Sequence, residues 1–384
     1  MESAMRAPQR EHGFALVGAV FALVIIAALV AGGFFAARQE LNVGRSSQTY
    51  QRAFDAAEAG LNSTVATWST GTLNVLAVGD SATFTATMPS NTGSYTAVVR
   101  RLNDELFLIR SVGQDPSGGS QRTLATITRL QLIQMDFNAS LTTRSSLKIG
   151  GSSFIDGQDQ NPNGWSCPSD ALNTLPGILT PDSSRIETPG CDNYDCIRGD
   201  PKIQQDPTIN DSTFFKFGDL DWNELVAMAT KTYPSGTVGP IRPAPIGTAS
   251  TCTTTPGGSN DNWGEPRVPP IVAGCQFYFP IIYVPGNLKI TGGVGQGILL
   301  VGGDLEVSGG AEFYGPVIVR GHLKTTGTGG HFNGGVMAAN VDLEVSTVLG
   351  DAVITYSSCA ITRALQYNAP GRLLAQRSWG ELLQ

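Results

Sequence analysis

Residues 281–310, IIYVPGNLKITGGVGQGILLVGGDLEVSGG, carry one short pattern twice, Leu288-Lys289-Ile290 and Leu305-Glu306-Val307, each behind an apolar run and ahead of glycine. The pattern returns as Leu323-Lys324-Thr325 and Leu343-Glu344-Val345, with the leucines 17, 18 and 20 residues apart. Ahead of each leucine lies a second apolar segment: IIYVPG, LLVGG, VIVRG and VMAAN. Units this short cannot bury an apolar side alone and must stack on their neighbours, so the repeat predicts a parallel β-helix, or β-solenoid. A third alignment stacks Phe313 on Phe332 and Leu349. With the leucine and the residue two later turned inward, Lys289, Glu306, Lys324 and Glu344 form an outward ladder of alternating charge at a spacing of about 4.8 Å. An upstream copy, Ser146-Leu147-Lys148-Ile149-Gly150-Gly151 followed by Phe154, places a first coil at 138–157 and the rest at 278–360.

Between them, 158–277 reads as an insertion carrying Cys167, Cys191, Cys196, Cys252 and Cys275, with Cys359 in the last coil. In an oxidising compartment six cysteines are expected to pair, in any of about 15 connectivities. Cys191 is near enough to pair with Cys196, and either also reaches Cys167 or Cys275. Zinc is disfavoured, because no C-x-x-C occurs and His12, His322 and His331 are not spaced as ligands with the cysteines. A short helix is expected over 221–231, where Asp221 and Glu224 form a capping-box pattern. Asp159-Gln160-Asn161-Pro162-Asn163-Gly164 matches the opening of a calcium loop, which makes Asp159, Asn161, Asn163 and Asp170 candidate calcium ligands. The same residue types also make plain turns.

At the N-terminus Arg10-Glu11-His12-Gly13 runs directly into Phe14 to Ala37, 24 residues without a charge. As a helix that run spans about 36 Å, enough for a bilayer core. The helix is expected to continue, since Phe54, Ala57, Leu61, Val65 and Trp68 make one stripe. Strand-like segments 83–88, 94–102, 105–112 and 122–133 follow, and offer that stripe an antiparallel sheet to pack on.

A small residue abutting Phe at the start of such a span resembles the class III signal of type IV pilins and pseudopilins. Together with QRAFDAAEAGL (51–61), it resembles the N-terminal part of PilX-type minor pilins over the first third of the chain. The resemblance implies cleavage by prepilin peptidase after Gly13, N-methylation of Phe14, an inner-membrane, single-pass stage with a periplasmic C-terminal domain, and later packing against other pilins in a filament at the cell surface. It departs from the family at the fifth mature position, usually Glu and here Gly18, which points away from a major pilin and toward a tip component. A plain anchor, and a secretory signal cut near Ala31 or Ala37, are the other readings of the segment.

The expected fold is therefore mainly β with a long N-terminal helix. It comprises a leader (1–13), a transmembrane and stalk helix (14–69), a pilin-like antiparallel sheet (70–137), the interrupted solenoid, and a C-terminal segment (361–384). In that last segment Leu373, Leu374, Trp379, Leu382 and Leu383 are expected to cap the open end of the solenoid. A net charge of −7 without a basic tract excludes nucleic acid as the natural partner. No nucleophile elbow, P-loop or H-E-x-x-H is present, so the expected role is assembly, surface display and adhesion rather than catalysis, with no cofactor beyond the candidate calcium. A large tip pseudopilin of a type II secretion system is the alternative. A membrane-anchored polysaccharide-active β-helix is the second, with Glu306 and Glu344, or Asp304, Asp342 and Asp351, as its candidate carboxylates.

Overall fold

The computed structural model describes residues 14–131, 133–167, 174–218, 220–242, 262–340, 346–374 and 379–382. Its first element is one unbroken helix, Phe14–Ala66. No proline interrupts it. The apolar stripe does what its spacing requires: Ala57 and Leu61 are buried, and Phe54, Val65 and Trp68 pack around them. Just past the helix, Trp68 meets Phe107 edge-on at 5.1 Å, and its Nε1 donates to Asn74 Oδ1 at 2.8 Å.

The helix lies on an antiparallel meander, β1 (Ser81–Thr87), β2 (Ser94–Arg101), β3 (Leu106–Gln114) and β4 (Gln121–Leu130). Each strand pairs with the next in unbroken register. Val99, Phe107, Ile109 and Leu124 face the helix and complete the core. Two glycines let the layers meet closely: a Cβ on Gly60 would lie 2.2 Å from Ser111 Oγ, and one on Gly113 would lie 2.2 Å from both Ala53 O and Ala57 N.

The rest of the chain builds two parallel ladders around a shared core. In one, strands pair in the spatial order 236–238, 288–290, 305–307, 323–325, 346–348, 147–149 and 186–187. Leu288, Leu305, Leu323 and Leu147 stand in one buried column, as their repeat requires. In the other, 281–284, 298–301, the two long strands Ala311–Val319 and Gly330–Ala338, and 353–356 run side by side. Both faces of this second ladder are covered, which suits its unbroken apolar runs. Leu299, Val317 and Val336 face the shared core. Leu300, Ile318 and Met337 face an outer cluster with Trp165, Phe214, Trp222 and the helix Ser358–Asn368. The long strands bend at Gly315 and Gly334, with φ of 129° and 152°. A Cβ at either would lie within 2.4 Å of a carbonyl oxygen on the neighbouring strand.

Several expectations are corrected. The last repeat registers three residues later than its motif: Lys324 faces Thr347, not Glu344, and Ser346 takes the leucine position. Ser346 fits there because its Oγ accepts the Leu323 N–H at 3.3 Å, so the buried hydroxyl is satisfied. Glu344 lies outside the described residues. In the Phe313–Phe332 column the next members are Ile354 and Ile155, not Leu349 and Phe154. The segment 158–277 is no simple insertion. Strands at 178–180, 186–187 and 197–198 extend the stack beyond 141–156, while 231–232 and 236–238 begin it at the other end. These strands are two or three residues long, too short to show a period. The chain's first repeat thus docks on its last. The capping-box helix forms at Trp222–Ala227, shorter than expected. Among the described residues the C-terminal segment does not close an end of the stack: Gly371–Leu373 and Trp379–Glu381 pair with β4 and satisfy its outer backbone groups, and Leu383 lies outside the described residues.

Candidate functional site

The N-terminal helix divides into two halves by environment. From Leu16 to Val43 every large apolar side chain is exposed, Leu16 at 72% and Phe35 at 74%. A Cβ on Gly18, Gly32, Gly33 or Gly44 would meet nothing within 4 Å. From Ala53 onward the helix is buried on the sheet. Among the described residues this is the one helix long and apolar enough to cross a membrane. An apolar rod of this kind needs lipid or other helices around it. Phe14 is the first described residue of that helix. Residues 1–13 lie outside the described residues. Gly18 offers no carboxylate to a neighbouring amine.

A second candidate surface runs across the repeat ladder. The Asn287 Oδ1 accepts the Asp304 N–H at 2.9 Å. In turn Asp304 Oδ1 accepts the His322 N–H at 3.0 Å and lies 2.9 Å from His322 Nδ1. Glycine is needed ahead of each: a Cβ on Gly303 would lie 2.1 Å from Asn287 Oδ1, and one on Gly321 would lie 2.1 Å from Asp304 Oδ1. Beside this column Lys289 Nζ meets Glu306 Oε1 at 2.7 Å, and Lys324 Nζ lies 4.0 Å from Glu306 Oε2. Ser235, Thr237 and these residues line an open groove of about 450 Å³. The hydrogen bond from Lys289 holds the Glu306 carboxyl below its ordinary range. A general acid requires the opposite shift.

Two disulfides among the described residues settle part of the cysteine question. Cys167 joins Cys359 across 192 residues, and Cys191 joins Cys196 across 5. Cys275 is disulfide-bonded as well, and Cys252 lies outside the described residues. The long bridge fastens the chain after Trp165 to the start of helix Ser358–Asn368. The same junction takes up the calcium-loop aspartate: Asp159 accepts from Ser358 N at 2.9 Å and Ser358 Oγ at 2.5 Å, one bond to each carboxylate oxygen. Asn161 and Asn163 are exposed, and Asp170 lies outside the described residues. Both Asp159 oxygens are thus engaged at a helix start. No group of three or more His, Cys, Asp or Glu side chains gathers among the described residues.

With this geometry in hand, comparison with known proteins adds little. No protein-family model and no curated protein matches the chain. A crystal structure of the competence-associated pilin ComZ from Thermus thermophilus aligns over 88% of this chain and 98% of that one, at 13% identity and a TM-score of 0.25.

Sequence reasoning missed Gly60 and Gly113 as contact glycines and Asp159 as a helix-capping residue. The Gly113 role had no sequence signal, because it depends on which strand lies under the helix. The Asp159 role had none either, because its partner Ser358 lies 199 residues away in sequence.

Proposed function

We propose that the chain is a minor type IV pilin of PilX type, low in copy number and tip-located, which takes part in pilus assembly and displays a β-solenoid at the surface. The observation that carries this reading is the division of one unbroken helix, Phe14–Ala66, into an exposed apolar half and a half buried on an antiparallel meander. In the proposed cycle, the free half holds the protein in the inner membrane, prepilin peptidase cuts after Gly13 and methylates Phe14, and the helix then packs among other pilin helices. The absence of a carboxylate at Gly18 and the bulk of the parallel ladders both disfavour repeated packing along a shaft. We read the two ladders as faces of one solenoid, whose outer surface includes the groove at Asn287, Asp304 and His322. On this reading it acts by binding rather than catalysis.

The test is the fate of a tagged chain in a cell that makes filaments. The expected result is a small, filament-associated amount concentrated at tips by immunogold labelling, and absent from sheared filament when the assembly machinery is deleted. A chain that stays wholly in the membrane fraction while filaments form would contradict the proposal.

A further inference from the structure

The antiparallel sheet ends at β1, whose outer side pairs with no strand among the described residues. Long open edges are sites for pairing with another chain, and proteins commonly blunt them with charge, proline, bulges or short length. The ladder ends here follow that rule, being strands of two or three residues. By contrast β1 is seven residues long, Ser-Ala-Thr-Phe-Thr-Ala-Thr, with no charge, proline or bulge.

The strand reads nearly the same in both directions about Phe84, with Thr83 matching Thr85, Ala82 matching Ala86 and Ser81 matching Thr87. Backbone geometry agrees with that symmetry. Met88 donates to the Gly93 carbonyl at 2.8 Å, one step beyond the pair Thr87–Ser94. Hydrogen bonding alternates along an antiparallel pair, so Ala82, Phe84 and Ala86 bond inward to β2, while Ser81, Thr83, Thr85 and Thr87 turn their N–H and C=O groups outward.

We infer that two copies of this chain pair antiparallel through β1, centred on Phe84. In that register Thr83 faces Thr85 of the second copy and Ser81 faces its Thr87, both as hydrogen-bonded pairs. The threonines lie side by side on the solvent face, a favourable cross-strand combination. Phe84, half-buried against the helix-side core, meets its own counterpart on the other face. The interface is isologous. Its two-fold axis stands normal to the sheet, and the N-terminal helix lies along the sheet. The two helices therefore run in opposite directions, and pairing joins copies held in opposed membranes or at the ends of separate filaments. The strand pairing itself does not depend on the pilin reading, whereas its consequence of joining opposed membranes or filament ends rests on it.

The test uses the full chain in lipid vesicles with the folded part outward, and in detergent. Thr85→Pro removes an outward N–H and leaves the bonds to β2 intact, and Thr83→Lys with Thr85→Lys places like charges opposite one another. Wild-type vesicles are expected to cluster, and both variants to stay dispersed at an unchanged unfolding temperature. Mixed Thr83→Cys and Thr85→Cys chains of different size should form a disulfide-linked heterodimer on oxidation, with neither variant linking to itself. Should Thr85→Pro not fold, the lysine pair and the cysteine mixture decide. Dispersed wild-type vesicles, unchanged clustering in a folded variant, or no register-specific cross-link would overturn the inference.

Discussion

Gly113→Ala tests the contact on which the stalk arrangement depends. The new methyl would stand 2.2 Å from Ala53 O and Ala57 N and 2.9 Å from the Ala56 carbonyl carbon. All three are backbone atoms, so no side chain can rotate away, and ordinary carbon contacts need about 3.5 Å. The helix must therefore withdraw by about 1 Å, loosening Ala57 and Leu61 from Ile109 and Phe107. Overpacking of this kind costs about 1–3 kcal/mol. Alanine's lower unfolded-state entropy in a strand returns about 0.5–1 kcal/mol, leaving a net loss of about 0.5–2 kcal/mol. Gly380→Ala is the control, because its Cβ would meet nothing within 4 Å in a strand of the same sheet. The assay is hydrogen exchange of the full chain in detergent. The 53–66 amides should exchange about tenfold faster in Gly113→Ala, since about 1.4 kcal/mol is a factor of ten where local opening governs. Unchanged protection over 53–66 would refute the close-approach reasoning.

Leu305→Ala removes a fully buried side chain from the leucine column and should cost about 3–5 kcal/mol by urea unfolding. Glu306→Lys, in contrast, should cost about 1–2 kcal/mol at low salt and less at high salt, because the two ion pairs it breaks are half-exposed. The Glu306 carboxyl is lowered in the folded state by the Lys289 hydrogen bond. Its contribution is therefore complete above its ordinary range and fades as pH falls through the folded value. The wild-type advantage over Glu306→Gln in urea midpoint should shrink between about pH 6 and about pH 3. Replacing Cys167 and Cys359 together with serine should destabilise the ladder domain by about 2–5 kcal/mol in thermal unfolding, given the long loop they close.

The sequence made the local elements legible and left much of their assembly hidden. Helical spacing of Phe54, Ala57 and Leu61, and the recurrence of Leu288, Leu305 and Leu323, reflect burial directly, so those faces emerge as read. The last repeat misleads because Leu343-Glu344-Val345 imitates the motif while Ser346, a hydrogen-bonded polar residue, occupies the buried position. Stacking of 147–149 on 346–348 is long-range, and no local pattern encodes it. The same holds for the Cys167–Cys359 bridge and for the return of Gly371–Leu373 to β4. At the candidate site, the apolar run after Phe14 and the alternation of Lys289, Glu306 and Lys324 were visible. Asn287, Asp304 and His322 stand one residue ahead of each repeat leucine, but their hydrogen bonds to one another were not visible, because Asn and Asp at a corner equally make plain turns.

The most direct test of the central claim is mass spectrometry of the intact chain and its N-terminal peptide after coexpression with a prepilin peptidase, alongside a Gly13→Ala control. The account predicts a mature chain that begins at methylated Phe14 and is lost in the control. An uncut chain, or one cut near Ala31 or Ala37, would contradict it.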